Sequence, residues 1–173
     1  GLKSNIAGIV AKGFGIREHR IKIESTNTTR VANMSPSAAS ATTALNGNAT
    51  LIAIEQVLDR LKSMVAKELG VQDTGRITIV DEKVFCDGRE TDWTWDRLVQ
   101  TAHLNRIDLS AHGFFATPEI YFDKIKEKGH PFAYHIFGTA IIEVTLDCLR
   151  GTYDIDSVKI VHDLGRPLSE LVD

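Results

Sequence analysis

The sequence predicts an α+β fold. Three observations carry that expectation: a long amphipathic helical pattern over roughly 41–69, a helix–glycine–strand unit that occurs twice, and two apolar-rich runs near the end of the chain that read as a β-hairpin. The helices are expected to pack on mixed sheets. The 173 residues are read as one segment, 1–173, large enough to hold a real core.

Residues 2–12, LKSNIAGIVAK, place Leu2, Ile6, Ile9 and Val10 at helical spacing. Gly13 and Gly15 are expected to stop this helix, after which RIKIES alternates like a half-buried strand. The same order of residues returns later. AKGFGIREHRIKIE (11–24) and AKELGVQDTGRITIV (66–80) share Ala-Lys, a glycine, an aliphatic residue, a polar turn and Arg-Ile-x-Ile, with one extra residue in the second turn. Two copies point to an internal duplication and not to a solenoid.

The long helix lies between the copies. Ile54, Val57, Leu58, Leu61, Met64 and Val65 form its apolar stripe, and Glu55, Asp59, Arg60 and Lys62 cover the other side. Met64 reads as core filling. Just before the helix runs NMSPSAASATTALNGNAT, and from Ser35 to Ala44 no side chain is larger than proline or threonine.

After the second copy, ITIVDEKVFCDG offers turns at Asp81-Glu82-Lys83 or Cys86-Asp87-Gly88. TDWTWDRLVQTAHLN reads as a short helix capped by Thr91 or Asp92, with Trp93, Leu98 and Ala102 facing inward. RIDLSAHGFFATP alternates as another strand until Pro118, and DKIKEKGHP reads as a charged, solvated loop. YHIFGTAIIEVTLD and YDIDSVKIVHD then form a hairpin through CLRGT, where Gly151 can take a positive φ. Gly138 suggests a bulge or a close backbone approach.

Composition excludes several classes. The chain is 43% hydrophobic and 25% charged, and its formal net charge of -3 gives no electrostatic reason to expect nucleic acid as a partner. No apolar run reaches the ~20 residues of a membrane span. Cys86 and Cys148 stand 62 positions apart, which is not metal-ligand spacing, so both are read as reduced, buried thiols of a cytoplasmic protein. The chain starts at Gly1 on a helical pattern and stops soon after a strand, which reads as a piece of something longer.

The candidate chemistry is sparse. His19, His103, His112, His130, His135 and His162 include no helical i, i+4 pair, so they read as solvated or core residues and not as metal ligands. Ser110, His112 and Asp163 could be drawn as a triad, but no nucleophile elbow accompanies them. GFGIRE follows a helix instead of a strand and lacks the third glycine of a dinucleotide fingerprint, so it reads as a helix cap. In VHDLGR, His162, Asp163 and Arg166 sit at a strand end, where turns and sites both occur.

The small-residue segment remains. Pro36 suits the first turn of a helix, and Ser35 or Ser37 would cap it. A helix start offers unpaired N–H groups and the positive end of a dipole, and bare side chains let an acceptor-rich ligand approach. Tight packing of helix on sheet accounts for the same residues, and spacing alone leaves both readings open.

VANMSPSAASATTALNG resembles the segment that reads N-T-S-x-T-A-A-S-x-x-x-D-L-N-G in the molybdenum-binding part of xanthine dehydrogenases. DLSAHGFFATPEIYFD, PFAYHIFGTAIIEVTLDCLRG and KIVHDLGRPLSELVD are similar to later blocks of the same family, in the same order. Nearly the whole chain is covered, and the pattern belongs to the molybdenum hydroxylase superfamily. The GFFATP and YHIFGTAIIEVTLDCLRG forms look more like xanthine dehydrogenases than aldehyde oxidases or carbon monoxide dehydrogenases.

The resemblance implies that Ser37, Ala38, Ala39, Ser40 and Thr42 lie against the pyranopterin of a molybdenum–molybdopterin cofactor through backbone groups and small hydroxyls. Ser37 replaces the usual threonine, and Ala44 replaces the common aspartate. It also implies a parent enzyme that hydroxylates xanthine or hypoxanthine and passes electrons through 2Fe-2S clusters to FAD in other parts of the parent. The family's Met-Gly-Gln-Gly loop is expected just before Gly1, and its catalytic glutamate just after Asp173. This segment is therefore expected to hold no catalytic residue, to retain no cofactor by itself and to self-associate through uncovered apolar surface. A non-catalytic scaffold with the same fold, or a piece of an aldehyde-oxidase-type enzyme, stands as the alternative.

Overall fold

The computed structural model describes residues 1–24, 27, 29, 38, 40–163 and 165–168. They divide into two compact units, Gly1–Ala116 with Leu168, and Thr117–Pro167. The fold is α+β, but every strand pairing among the described residues is antiparallel, where mixed sheets were expected. The reason is connection length: each pair is joined by a short turn, and parallel neighbours need a long crossover.

The first unit holds helices α1 (Leu2–Phe14), α2 (Thr42–Glu68) and α3 (Trp95–Leu104). All three end alike. The amide of an aliphatic residue reaches back to an alanine carbonyl, Ile16 to Ala11 at 2.9 Å, Val71 to Ala66 at 2.8 Å and Ile107 to Ala102 at 2.9 Å. The three alanines are buried. The residue before each aliphatic one has positive φ: Gly15, Gly70 and, without the freedom of glycine, Arg106. The duplication seen in the sequence is thus a repeated cap.

Gly13 was expected to stop α1 and does not; it lies inside the helix against Ile54 of α2. Gly47 of α2 is matched in the same way by Ile9 of α1. Each helix therefore offers a glycine notch to an isoleucine of the other. Gly15 closes α1 at φ 70, and a Cβ there would stand 2.0 Å from the carbonyl oxygen of Ile79.

After each of the first two caps comes a single 3-10 turn, Glu18–Arg20 and Thr74–Arg76. The second leads into a strand and the first does not, so the expected strand at RIKIES is absent over Arg20–Glu24, with Ser25 outside the described residues. Arg20 is instead held by side-chain bonds. Its guanidinium takes both oxygens of Glu82, at 2.7 and 3.0 Å, and both of Asp96, at 2.8 and 3.1 Å.

Strands β1 (Ile77–Val80), β2 (Lys83–Cys86) and β3 (Arg89–Thr94) form a meander in that order. Both turns anticipated from the sequence occur, with positive φ at Asp81 and Glu82 and again at Asp87 and Gly88. Two consecutive positive values match the twist of the flanking strands. The two repeat arginines hold these turns, Arg20 through Glu82 and Arg76 through Asp87.

The core lies between this meander and two helices: Leu61, Val65 and Ala66 of α2, Ile77, Val84 and Trp93 of the sheet, and Leu98 and Ala102 of α3. Trp93, Leu98 and Ala102 thus face inward as expected. The α3 cap differs from expectation. Thr94 accepts from the amide of Arg97, whereas Thr91 belongs to β3 and donates to the carbonyl of Val84 at 2.7 Å. Asp92 forms an ion pair with Arg97, whose guanidinium lies 4.3 Å from the centre of the Trp93 ring.

The strand expected over RIDLSAHGFFATP is also absent. Its backbone is taken up by α2 instead. Arg60 donates to the Ser110 carbonyl at 2.7 Å, Gln56 donates to the His112 carbonyl at 3.2 Å, and Gly113 touches the α2 main chain. The half-buried Ile107 packs on the core, so alternation signalled one-sided burial without strand pairing.

The second unit contains two separate hairpins. β4 (Tyr121–Asp123) and β5 (Lys128–His130) flank a turn within the stretch expected to be loop throughout. β6 (Gly138–Asp147) and β7 (Thr152–His162) form the expected long hairpin, with Gly151 at φ 69. Register slips once, opposite Glu143 and Val144, so Asp156 is the extra residue with no position opposite it on β6. Ala140, Ile142, Val144 and Leu146 therefore share one face with Ile160, Val158, Ile155 and Tyr153.

The cysteines depart from expectation: Cys148, in the β6–β7 turn, is exposed, and Cys86, at the end of β2, is only half-buried. Both thiols are free. Among the described residues no helix is long and apolar enough to cross a membrane.

Candidate cofactor-binding site at the start of the long helix

The segment leading into α2 is only partly described. Ser35, Pro36, Ser37 and Ala39 lie outside the described residues, so the expected cap at Ser35 or Ser37 and the site roles of Ser37 and Ala39 are not placed. Ala38, Ser40 and Thr42 are described. Ala41 donates its amide to the Ala38 carbonyl at 3.2 Å, and Ser40 turns the chain at φ 56. α2 then starts at Thr42 behind Ala41, which has no side chain able to cap it.

This entrance has three relevant properties. Its N-cap residue, Ala41, makes no side-chain cap, so the amides that helix geometry leaves unpaired have no acceptor from that position. No acidic residue stands in that turn, so the positive end of the dipole is not neutralised. Ala38 and Ser40 are exposed and residues 41–44 are half-buried, with nothing longer than threonine among them.

Nearby polar side chains turn back on the helix. Asn48 donates to the Ala44 carbonyl and Thr50 to the Asn46 carbonyl, each at 2.7 Å. Gly47, beneath them, is filled by Ile9. The donor set at the entrance is thus amides and small hydroxyls, which suits a flat, acceptor-rich, anionic group.

The other candidates resolve differently. Ser110 donates its hydroxyl to Asp108 at 2.7 Å, and the carboxylate of Asp163 accepts from the Gly165 amide at 3.2 Å, so neither holds a triad histidine. GFGIRE is the α1 cap. Among the described residues, no group of three or more His, Cys, Asp or Glu side chains is placed to hold a metal ion.

Sequence reasoning missed a cleft of about 670 Å³ lined by Gln56, Asp59, Arg60, Asp108, Ser110 and His112. Two of its charges, Arg60 and Asp108, are engaged with one another. Arg60 bonds the Gln56 carbonyl at 2.8 Å, Asp108 at 2.6 Å and the Ser110 carbonyl. Asp108 is held below the ordinary carboxylate range by the Ser110 hydroxyl, then the Ser110 amide, then Arg60. The spacing of Gln56 and Arg60, four apart on one helix face, was the available signal. The cleft is a clamp that binds a chain segment to α2.

The sequence profile of the molybdopterin cofactor-binding domain family matches residues 1–173. The chain belongs to that family. It is 35% identical to a xanthine dehydrogenase of Oryza sativa subsp. japonica over 173 residues, which are 100% of this chain and 11% of the relative. Identity is 33% to xanthine dehydrogenase 1 of Arabidopsis thaliana and 31% to xanthine dehydrogenase/oxidase of Gallus gallus, with the same shares covered. The chain thus spans about 11% of the length of the curated relatives it matches. In this molybdopterin-binding domain segment, the bare start of α2 is the feature whose donors fit the cofactor named by the family.

Proposed function

We propose that this chain supplies part of one wall of a molybdenum–molybdopterin site in a larger molybdenum hydroxylase of the xanthine dehydrogenase type. The observation that carries the reading is the start of α2, with alanine at its N-cap and no acid in its first turn. The amides of its first turn would bond acceptor atoms of the pterin, and the hydroxyls of Ser40 and Thr42 would add donors. Ala38 and Ala41 would leave room for a flat ring, with Ser37 and Ala39 completing the surface as the family pattern implies. When bound, the cofactor supplies the two-electron redox centre at which a purine such as xanthine or hypoxanthine is hydroxylated.

The residues of this chain bind and orient; the catalytic base belongs to other parts of the enzyme. FAD and 2Fe-2S clusters would lie there too, in an enzyme of the cytoplasm. The length of the relatives supports a multi-part parent. Molybdenum and pterin content, measured together with purine hydroxylation in the full-length polypeptide that carries this segment, tests the reading. Stoichiometric cofactor and purine-dependent electron transfer are expected. A purified, folded polypeptide that binds no pterin and oxidises no purine contradicts it.

A further inference from the structure

The β6–β7 hairpin is amphipathic across its width. One face is apolar from Ala140 to Leu146, formed by Ala140, Ile142, Val144 and Leu146 with the residues paired to them on β7, and it ends at the Gly138–His162 pair. The extra residue, Asp156, is what keeps it apolar. Ile155 and Val158 stand three apart, which would send them to opposite faces of a regular strand, and the slip returns them to the same one.

The other face is mixed, with Glu143, Thr145, Asp154, Ser157 and Lys159 beside Ile141 and Val161, and its polar groups are partly self-satisfied. Thr145 donates to Asp156 at 2.7 Å, and Ser157 donates to Glu143 at 3.2 Å. Acidic groups there favour water, so the two faces have different destinations. The apolar residues are nevertheless exposed, Ile142 by 58% and Tyr153 by 66%. Single exposed apolar side chains are ordinary, but a continuous patch spanning two strands marks an interaction surface.

A two-stranded sheet is marginal in water unless a further strand or an apolar layer joins it. A hairpin with strands of 10 and 11 residues therefore needs its cover whenever it is folded. A second copy would supply that cover only above a threshold concentration, whereas a covalently continuous layer is present at a high effective concentration always. The relatives carry most of their length outside the region this chain matches, 11% of the whole. We infer that the apolar face of β6–β7 docks on an apolar layer contributed by another part of the same longer polypeptide. This rests on the reading that the chain serves within a larger enzyme.

Hydroxyl-radical footprinting read by mass spectrometry tests it at native side chains. Chain 1–173 alone, at low concentration, is compared with the full-length polypeptide that contains it. Ile142, Leu146 and Tyr153 are expected to be oxidised severalfold more slowly in the full-length polypeptide. Equal oxidation in the two samples overturns the inference. Protection in the full-length polypeptide that falls away on dilution assigns the face to a second copy, and also overturns it. Ile142→Lys in the full-length polypeptide is expected to restore oxidation of Tyr153, and Ile141→Lys, on the opposite face, to leave it protected. Molybdenum and pterin are measured on the same samples, so loss of cofactor with protection intact counts against the proposed function and not against the docking face.

Discussion

The main chain of Gly113 rests on that of Ala49. A Cβ at position 113 would stand 1.8 Å from the Ala49 carbonyl oxygen and 3.1 Å from the Ala53 amide nitrogen. Backbone against backbone cannot yield as a side-chain tip can. Gly113→Ala is therefore expected to destabilise the first unit by about 1–3 kcal/mol, as overpacking does. Chemical denaturation checks this. Combined with Arg60→Met, which releases the segment from α2, the loss should be less than the sum of the two single losses.

Asp108 gives the clamp a pH dependence. Its carboxyl sits below the ordinary range, chiefly through the Ser110 hydroxyl and amide and then through Arg60. A group with a depressed folded-state value contributes stability above its unfolded value, about 3.9, and loses it as pH falls through the folded value. NMR titration should place the Asp108 midpoint below the ordinary aspartate value. Arg60→Met should raise it only part of the way, because the Ser110 bonds are the larger causes.

Arg106 occupies the helix-cap position that holds glycine in the other two helices, at φ 57 beside 70 for Gly15 and 67 for Gly70. The left-handed conformation costs an L-residue roughly 1–2 kcal/mol that glycine does not bear. Arg106→Gly is expected to raise stability by about 1 kcal/mol. A lower melting temperature would show that the Arg106 side chain outweighs the strain.

The α3 cap separates structure from first expectation. Thr94→Ala should cost about 1 kcal/mol, the usual loss of a helix cap. Asp92→Ala removes an exposed ion pair and should cost less, between about 0 and 1 kcal/mol. Thermal unfolding of both variants, with Leu98→Ala as a core reference at about 2–5 kcal/mol, sets the order.

Much of this was legible because it is local. The stripe from Ile54 to Val65 gave α2 to within a residue at each end, and Asp-Glu and Asp-Gly marked the two meander turns. The duplicated sequence was real, but what repeats is the cap and its 3-10 turn, not the strand. A strand needs a partner edge, which neither Arg20–Glu24 nor the segment around Gly113 finds, and alternation alone records only one-sided burial. The cap of α3 was misplaced because Thr91, Asp92 and Thr94 are all good caps, and only the length of β3 decides among them.

The site was legible as bareness but not as chemistry. Small residues before α2 allowed packing or a ligand equally, and physical reading of Ala38, Ser40 and Thr42 left both open. What the structure adds is an alanine at the N-cap position and no first-turn acid, which packing alone does not require.

The central claim is that this bare entrance receives an anionic cofactor, and Thr42→Asp in the full-length enzyme tests it most directly. A carboxylate in the first turn favours the helix by up to about 1 kcal/mol. It repels an anion about 4 Å away by about 4 kcal/mol near a protein surface. The melting temperature of the apoprotein should hold or rise while molybdenum and pterin content fall sharply. Full cofactor content in a normally folded Thr42→Asp enzyme would contradict the account.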